Sequence, residues 1–209
     1  INALQDGLLK LTGGITFYKS NVNLKNVSID NVLAEDALNI IESKFNIDSI
    51  SINNTRSDGL DSDFSVGIIS ESKFLNIGGD ALDFSGSNVD IYKVNAEYIK
   101  DKSISAGEAS IIDINEANFN QVGVGIASKD GSKVSTKNCT ITNYQLYAAM
   151  SYTKKEFYTA PSLSLHNCNV EQGDAYMRQD GSYMSVNNVE IKEANLNVKK
   201  LYERGFMKK

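Results

Sequence analysis

Cysteine, proline and tryptophan are nearly missing from this chain of 209 residues, which has two, one and none of them. Two cysteines are too few for a disulfide-stapled small fold, and no further ligands stand beside them at zinc spacing. No run of about 18 apolar residues occurs, so nothing reads as a membrane-spanning helix, and no charged-then-apolar leader opens the chain. The sequence starts at Ile1 rather than Met, as expected of a piece of a larger protein. A dense Lys/Arg stripe is missing too, and with a net charge of −5 the chain offers no general attraction to nucleic acid or anionic lipid. His166 is the only histidine, which makes Ser/His or Cys/His nucleophilic catalysis a poor fit.

What remains is rich in Asn, Ser, Ile and Asp, a composition that favours many short strands joined by polar turns. The expected class is all-β, in a single domain spanning residues 1–209. An internal repeat sharpens this. Asp36-Ala37-Leu38-Asn39, Asp58-Gly59-Leu60-Asp61, Asp80-Ala81-Leu82-Asp83, Lys102-Ser103-Ile104-Ser105 and Val124-Gly125-Ile126-Ala127 follow one another at 22 residues. Leu38, Leu60, Leu82, Ile104 and Ile126 then form one column. Between them, alternating stretches such as Val89-Asp90-Ile91 and Ile112-Asp113-Ile114 read as strands. A unit this short cannot bury its apolar side alone, so coils must stack at about 4.8 Å. The pattern predicts a single-stranded right-handed parallel β-helix of about nine coils.

A second column supports that register. Asn26, Asn138, Asn167 and Asn188 each precede a small apolar residue and are expected at a corner with stacked amides. Cys139 and Cys168 lie one coil plus seven residues apart, so they should be neighbours in adjacent coils. They read as two stacked inward thiols, with a disulfide within reach. The seven extra residues place a protruding loop at Tyr152 to Pro161, and such insertions are often on a binding face.

With the Leu/Ile column inward, alternation turns its neighbours outward. One outward column runs Asn39, Asp61, Asp83, Ser105, Ala127, a second Ile41, Asp63, Ser85, Gly107, Lys129, and a corner column Asp36, Asp58, Asp80, Lys102. Carboxylates thus gather on adjacent coils, where like charges repel unless something compensates. A divalent cation on Asp61, Asp63 and Asp83 is one means, calcium being the candidate cofactor. A shared proton, giving an acid/base pair, is another. Acceptance of turn N–H groups with pairing to Lys102 is a third and purely structural one. The candidate catalytic groups are Asp58, Asp61, Asp80, Asp83 and Lys102. Further along, Asp63, Glu108, Lys129, Lys154, Lys155, Tyr158 and Arg178 make a mixed basic and aromatic groove, the expected substrate-binding set.

Ser57-Asp58-Gly59-Leu60-Asp61 followed by Gly78-Gly79-Asp80-Ala81-Leu82-Asp83 resembles the paired aspartate motifs of polygalacturonase-type pectin hydrolases. That resemblance implies a pectin-lyase-like β-helix, with Asp58 and Asp80 matching two of three catalytic aspartates; Gly79 stands where the general acid would be. The family's Gly-His-Gly and Arg-Ile-Lys motifs have no counterpart. From Leu11 to Asp130 the wider pattern is similar to parallel β-helix domains of large bacterial surface or secreted proteins, which implies an extracytoplasmic location. The expected function is to bind or process an extended, acidic polysaccharide. Two alternatives stand beside it: a non-catalytic structural or adhesion solenoid presenting loops to a protein partner, and a cation-assisted lyase with Lys102 or Lys129 as base.

Overall fold

The computed structural model describes residues 4–6, 9–171, 173, 175–203 and 207. The chain winds into a parallel β-solenoid of about eight turns, one fewer than the repeat suggested, with about 22 residues in each. A representative coil has three short strands, Asp36–Ile41, Lys44–Asp48 and Ser51–Thr55. The strands of one coil pair in parallel with those of the next, Lys44–Asp48 with the first half of Val66–Ile77 and Ser51–Thr55 with the second. The expected inward column holds in full. Leu38 pairs with Leu60, Leu60 with Leu82, Leu82 with Ile104 and Ile104 with Ile126, and none of the five is exposed. Each such side chain contributes about 1.5–3 kcal/mol by leaving water, which explains why a 22-residue spacing is held so strictly.

Strands need corners, and here a corner is a residue at positive φ. In the second coil these are Glu42, Ser49 and Asn54, and in the third Phe64, Glu71 and Asn76. The left-handed conformation costs an L-residue of order 1–2 kcal/mol. The cost is offset because the corner amide keeps its bond to the following coil: Glu42 N–H donates to the Asp63 carbonyl at 2.8 Å and Ser49 N–H to that of Ser70 at 3.0 Å.

Side chains tie the corners vertically. Asn138 donates its amide to Asn115 and Asn167 to Asn138, at 3.0 and 2.7 Å, as expected of an asparagine ladder. Past Asn167 the expected Asn188 gives way to Asn187, whose Oδ1 accepts the Cys168 N–H at 3.2 Å. Asn187 and Asn188 both have positive φ and close a tight antiparallel hairpin between Tyr183–Val186 and Val189–Glu190. A second ladder has no counterpart in the sequence reading. Ser20, Ser43, Ser65, Ser87 and Ser110 each donate a backbone N–H to the hydroxyl of the serine one coil on, ending at Ser132.

Two features correct or extend the expectations. Cys139 and Cys168 are neighbours, but they form a disulfide across a Cα–Cα distance of 4.4 Å rather than standing as thiols. The insertion falls where expected, at 153–161, between Lys133–Tyr152 and Ser162–His166. At the C-terminal end the chain leaves the solenoid and folds back along its outside. The short helix Val198–Glu203 brings Tyr202, together with Met207, against Val124, Ala127, Met150 and Tyr152.

Candidate functional site

The two outward columns share one sheet face, as the alternation predicts, and the corner column Asp36, Asp58, Asp80, Lys102 lies beside them. They are not an open groove. Asp36, Asn39, Lys102, Ser105, Ala127 and Lys129 are all buried, and Asp58, Asp61, Asp63 and Asp83 are half-buried. Alternation tells which side of the strand a residue lies on, and at Ala127, Lys102 and Lys129 the returning C-terminal segment decides whether that side meets water.

At the corner column the aspartates act as backbone acceptors. Asp58 Oδ1 accepts the Asp80 N–H at 2.7 Å, and Asp80 Oδ1 accepts the Lys102 N–H at 2.9 Å, so each carboxylate caps the entry of the next coil. This ladder accounts for the motif that resembles the hydrolases. It also fixes Gly79, because a Cβ there would overlap the Asp58 carboxylate. The third aspartate of the hydrolase pattern has no room.

Lys102 is the centre of the covered half. Its ammonium lies 3.0 Å from Asp80 Oδ1 and 2.8 Å from Asp101 Oδ2, and its side chain is 2% exposed. Burial alone would lower the pKa of this lysine, but Asp80 and Asp101 outweigh burial and hold it above the ordinary lysine value. The same pairing keeps the Asp80 carboxyl below its ordinary value despite burial. A lysine so held is a fixed cation, not a base. Lys129 lies over Gly107, buried, with Asp83 the largest of the charges that raise its pKa against the pull of burial. Tyr152 and Tyr202 close the lid with a 2.7 Å hydroxyl contact.

The acidic half behaves differently. Burial, with Asp80 next, lifts the Asp58 carboxyl to about 7, and burial lifts that of Asp36 to about 6. Asp61 is pushed well up by burial and then by Asp63 and Asp83, while Asp63 is raised by burial against the hydrogen bond it receives from Asn39. Thr12 donates to Asp36 at 2.6 Å, and Asn39 Nδ2 donates to Asp61 at 3.1 Å and Asp63 at 3.5 Å. Among the described residues, no three His, Cys, Asp or Glu side chains are gathered as the ligands of one metal ion.

The remaining expected residues are dispersed. Glu108 pairs with Lys155. Lys154 lies over the Tyr202 ring at 4.4 Å, its pKa lowered by burial and by Lys129 and Lys102. Tyr158 packs on Phe157 at 4.7 Å. Arg178 is committed to the last coils, bonding the carbonyls of Ser182 and Ile191 and the carboxylate of Glu190. Three residues that matter here were not singled out from sequence: Asp101, Tyr152 and Tyr202. The run from Lys100 to Ser103 breaks the alternation, and the register slips between Ile99 and Lys102, which is the one local signal for Asp101.

No family model matches the chain, and no curated protein matches it. Among solved structures it is similar to full-length QnrB1, a plasmid-mediated fluoroquinolone resistance protein. Identity is 13% and the TM-score 0.19, over 90% of this chain and 99% of that one. A trypsin-treated variant of QnrB1 gives 14% and 0.22, over 90% and 97%. Likenesses this remote carry no argument about activity. They leave the pectin-lyase-like assignment unconfirmed. The expectation that the aspartate face binds or processes a polysaccharide is therefore corrected. The groove it needs is covered over coils five to seven, and Asp58, Asp80 and Lys102 hold the coils together. No helix among the described residues is long and apolar enough to cross a membrane.

Proposed function

We propose that the chain is a non-catalytic solenoid that presents its inserted loop, 153–161, to a protein partner outside the cytoplasm. One observation carries this reading: an aromatic side chain held in water on a backbone that is not free to collapse. Phe157 is 80% exposed. The backbone beneath it is pinned, since the N–H groups of Lys154 and Lys155 both donate to the buried Asp130 carboxylate, at 2.6 and 2.7 Å. Thr153 N–H donates to Gln179 at 2.6 Å, and Lys155 is tied to Glu108. Aromatic anchors on pre-organised backbone dominate the energetics of protein interfaces, because little conformational entropy is lost when they dock. The Cys139–Cys168 disulfide supports the compartment, as such bonds persist where the surroundings are oxidising.

The test places a photo-reactive benzophenone side chain at position 157 and, as control, at Tyr98, which is exposed at a corner away from the loop. In the cells that make the protein, light should yield one discrete protein adduct from position 157 and none from 98. Equal labelling from both positions, or no adduct from 157, contradicts the proposal.

A further inference from the structure

Beside the inserted loop the returning C-terminal segment leaves a cleft of about 810 Å³. Thr153, Lys154 and Glu156 line it from the loop, and Leu196, Val198 and Tyr202 line it from the segment. Leu196 and Val198 are half-buried and pack on the cluster of Val124, Ala127 and Met150, so the cleft has an apolar wall anchored to the solenoid. Phe157, 80% exposed, directly follows the lining residue Glu156. A projecting ring and an apolar cleft thus lie on one side of the molecule.

The charges of the loop are also incomplete. Among the described residues the Lys154 ammonium has no carboxylate within ion-pair distance, and the Glu156 carboxylate has no lysine or arginine within it. Both side chains are exposed, while Lys155 between them is tied to Glu108. Lys154 lies over the Tyr202 ring at 4.4 Å, in a neighbourhood where Lys129 and Lys102 are cations as well. Lys154 and Lys199 balance Glu156 and Glu203 around the cleft, so this patch escapes the repulsion that a net charge of −5 would otherwise bring to self-contact.

We propose that the partner of the loop is a second copy of this chain, paired about a two-fold axis so that Phe157 of each copy enters the cleft of the other. The inference rests on the reading of 153–161 as a protein-docking loop. A two-fold interface uses the same patch on both subunits, so the patch must carry both the projecting group and the surface that receives it. This one carries both. Lys154 of one copy then meets Glu156 of the other, and the reverse, which turns two unpaired charges in each chain into two equal ion pairs across the axis. The loop and residues 195–203 together approach the ~20 residues a side of a standard interface.

The experiment is sedimentation equilibrium on the purified chain at concentrations up to about 200 µM. A monomer–dimer equilibrium is expected, and Phe157→Ala should weaken it at least about tenfold. Lys154→Glu and Glu156→Lys should each weaken it at least about tenfold, because like charges then face each other. An equimolar mixture of those two variants should dimerise nearly as well as the wild type, since every facing pair is again of opposite sign, and a misfolded variant would give no such rescue. A wild-type chain that stays monomeric at about 200 µM, or charge variants that each dimerise as the wild type does, overturns the assignment. If the chain is monomeric and position 157 still forms an adduct with a different protein in cells, the loop keeps its docking role and only the second copy is ruled out; without any adduct both readings fall.

Discussion

Coils two to four and coils five to seven present the same three columns on the same strand geometry, and they end in opposite chemistry. In the first group Asp58, Asp61 and Asp63 stay within reach of water while Asp36 is buried, and all four are driven toward protonation by burial and by neighbouring carboxylates. In the second, Lys102 and Lys129 take over the columns and Tyr152 and Tyr202 shut them off from solvent. The two halves meet where Asp80 takes the N–H and the ammonium of Lys102 together. The comparison teaches that a repeat fixes position, while the identity of the vertical neighbour and the cover above decide what the position does.

The largest expected effect comes from the covered half. Lys102→Met removes the cation that lies between Asp80 and Asp101 in a buried site, and the Asp80 carboxylate loses the ammonium 3.0 Å from it. The loss should be about 3–5 kcal/mol, read as a lower urea midpoint at unchanged slope. A loss below 1 kcal/mol would mean that water enters this half as freely as the other.

The acidic half should answer to pH instead. Unfolded aspartate titrates near 3.9, and Asp36 and Asp58 in the fold titrate at about 6 and 7. Between those limits the folded state binds more protons than the unfolded one, so stability is greatest at the acid end of the window and falls as pH rises through 6 and 7. With chelator present, unfolding free energy at pH 5 should exceed that at pH 8 by about 4 kcal/mol. Below about pH 4 the trend reverses, because Asp80, whose pKa is held down, loses its bond to Lys102 on protonation. A flat profile from 5 to 8 would erase the difference between the halves.

A smaller effect of opposite sign follows from Asp61→Asn in chelator at pH 8. Removing one of several like charges while keeping shape should stabilise by about 1 kcal/mol or less, measurable by denaturant titration. Destabilisation would show that the Asp61 carboxylate is held by something other than Asn39.

The solenoid was legible in the sequence because the inward column tolerates only aliphatic residues, so Leu38 through Ile126 recur at fixed spacing. The insertion was legible from the extra seven residues between Cys139 and Cys168. Their bond was not, since spacing places two sulfurs side by side without stating their oxidation. The serine ladder from Ser20 to Ser132 recurs at 22 or 23 residues and could have been found by the same search, but serine is common enough in turns to hide a column. The site was misjudged for a different reason. Period-two alternation put Ser105 and Lys129 on the outer side and the corner column held Lys102, but nothing at those positions announces that Tyr202, far along the chain, lies over them. Asp58 and Asp80 looked catalytic because the residue that caps a coil and the residue that activates water are both aspartates beside glycine.

The account stands or falls on the cover over coils five to seven, and lysine acylation in the native state measures it directly. Brief treatment with an N-hydroxysuccinimide ester, followed by peptide mass spectrometry, should modify the exposed Lys100 and Lys133 and leave Lys102 and Lys129 unmodified until the protein is unfolded. If Lys102 or Lys129 reacts as fast as Lys100, the face is an open groove and the structural role assigned to it is contradicted.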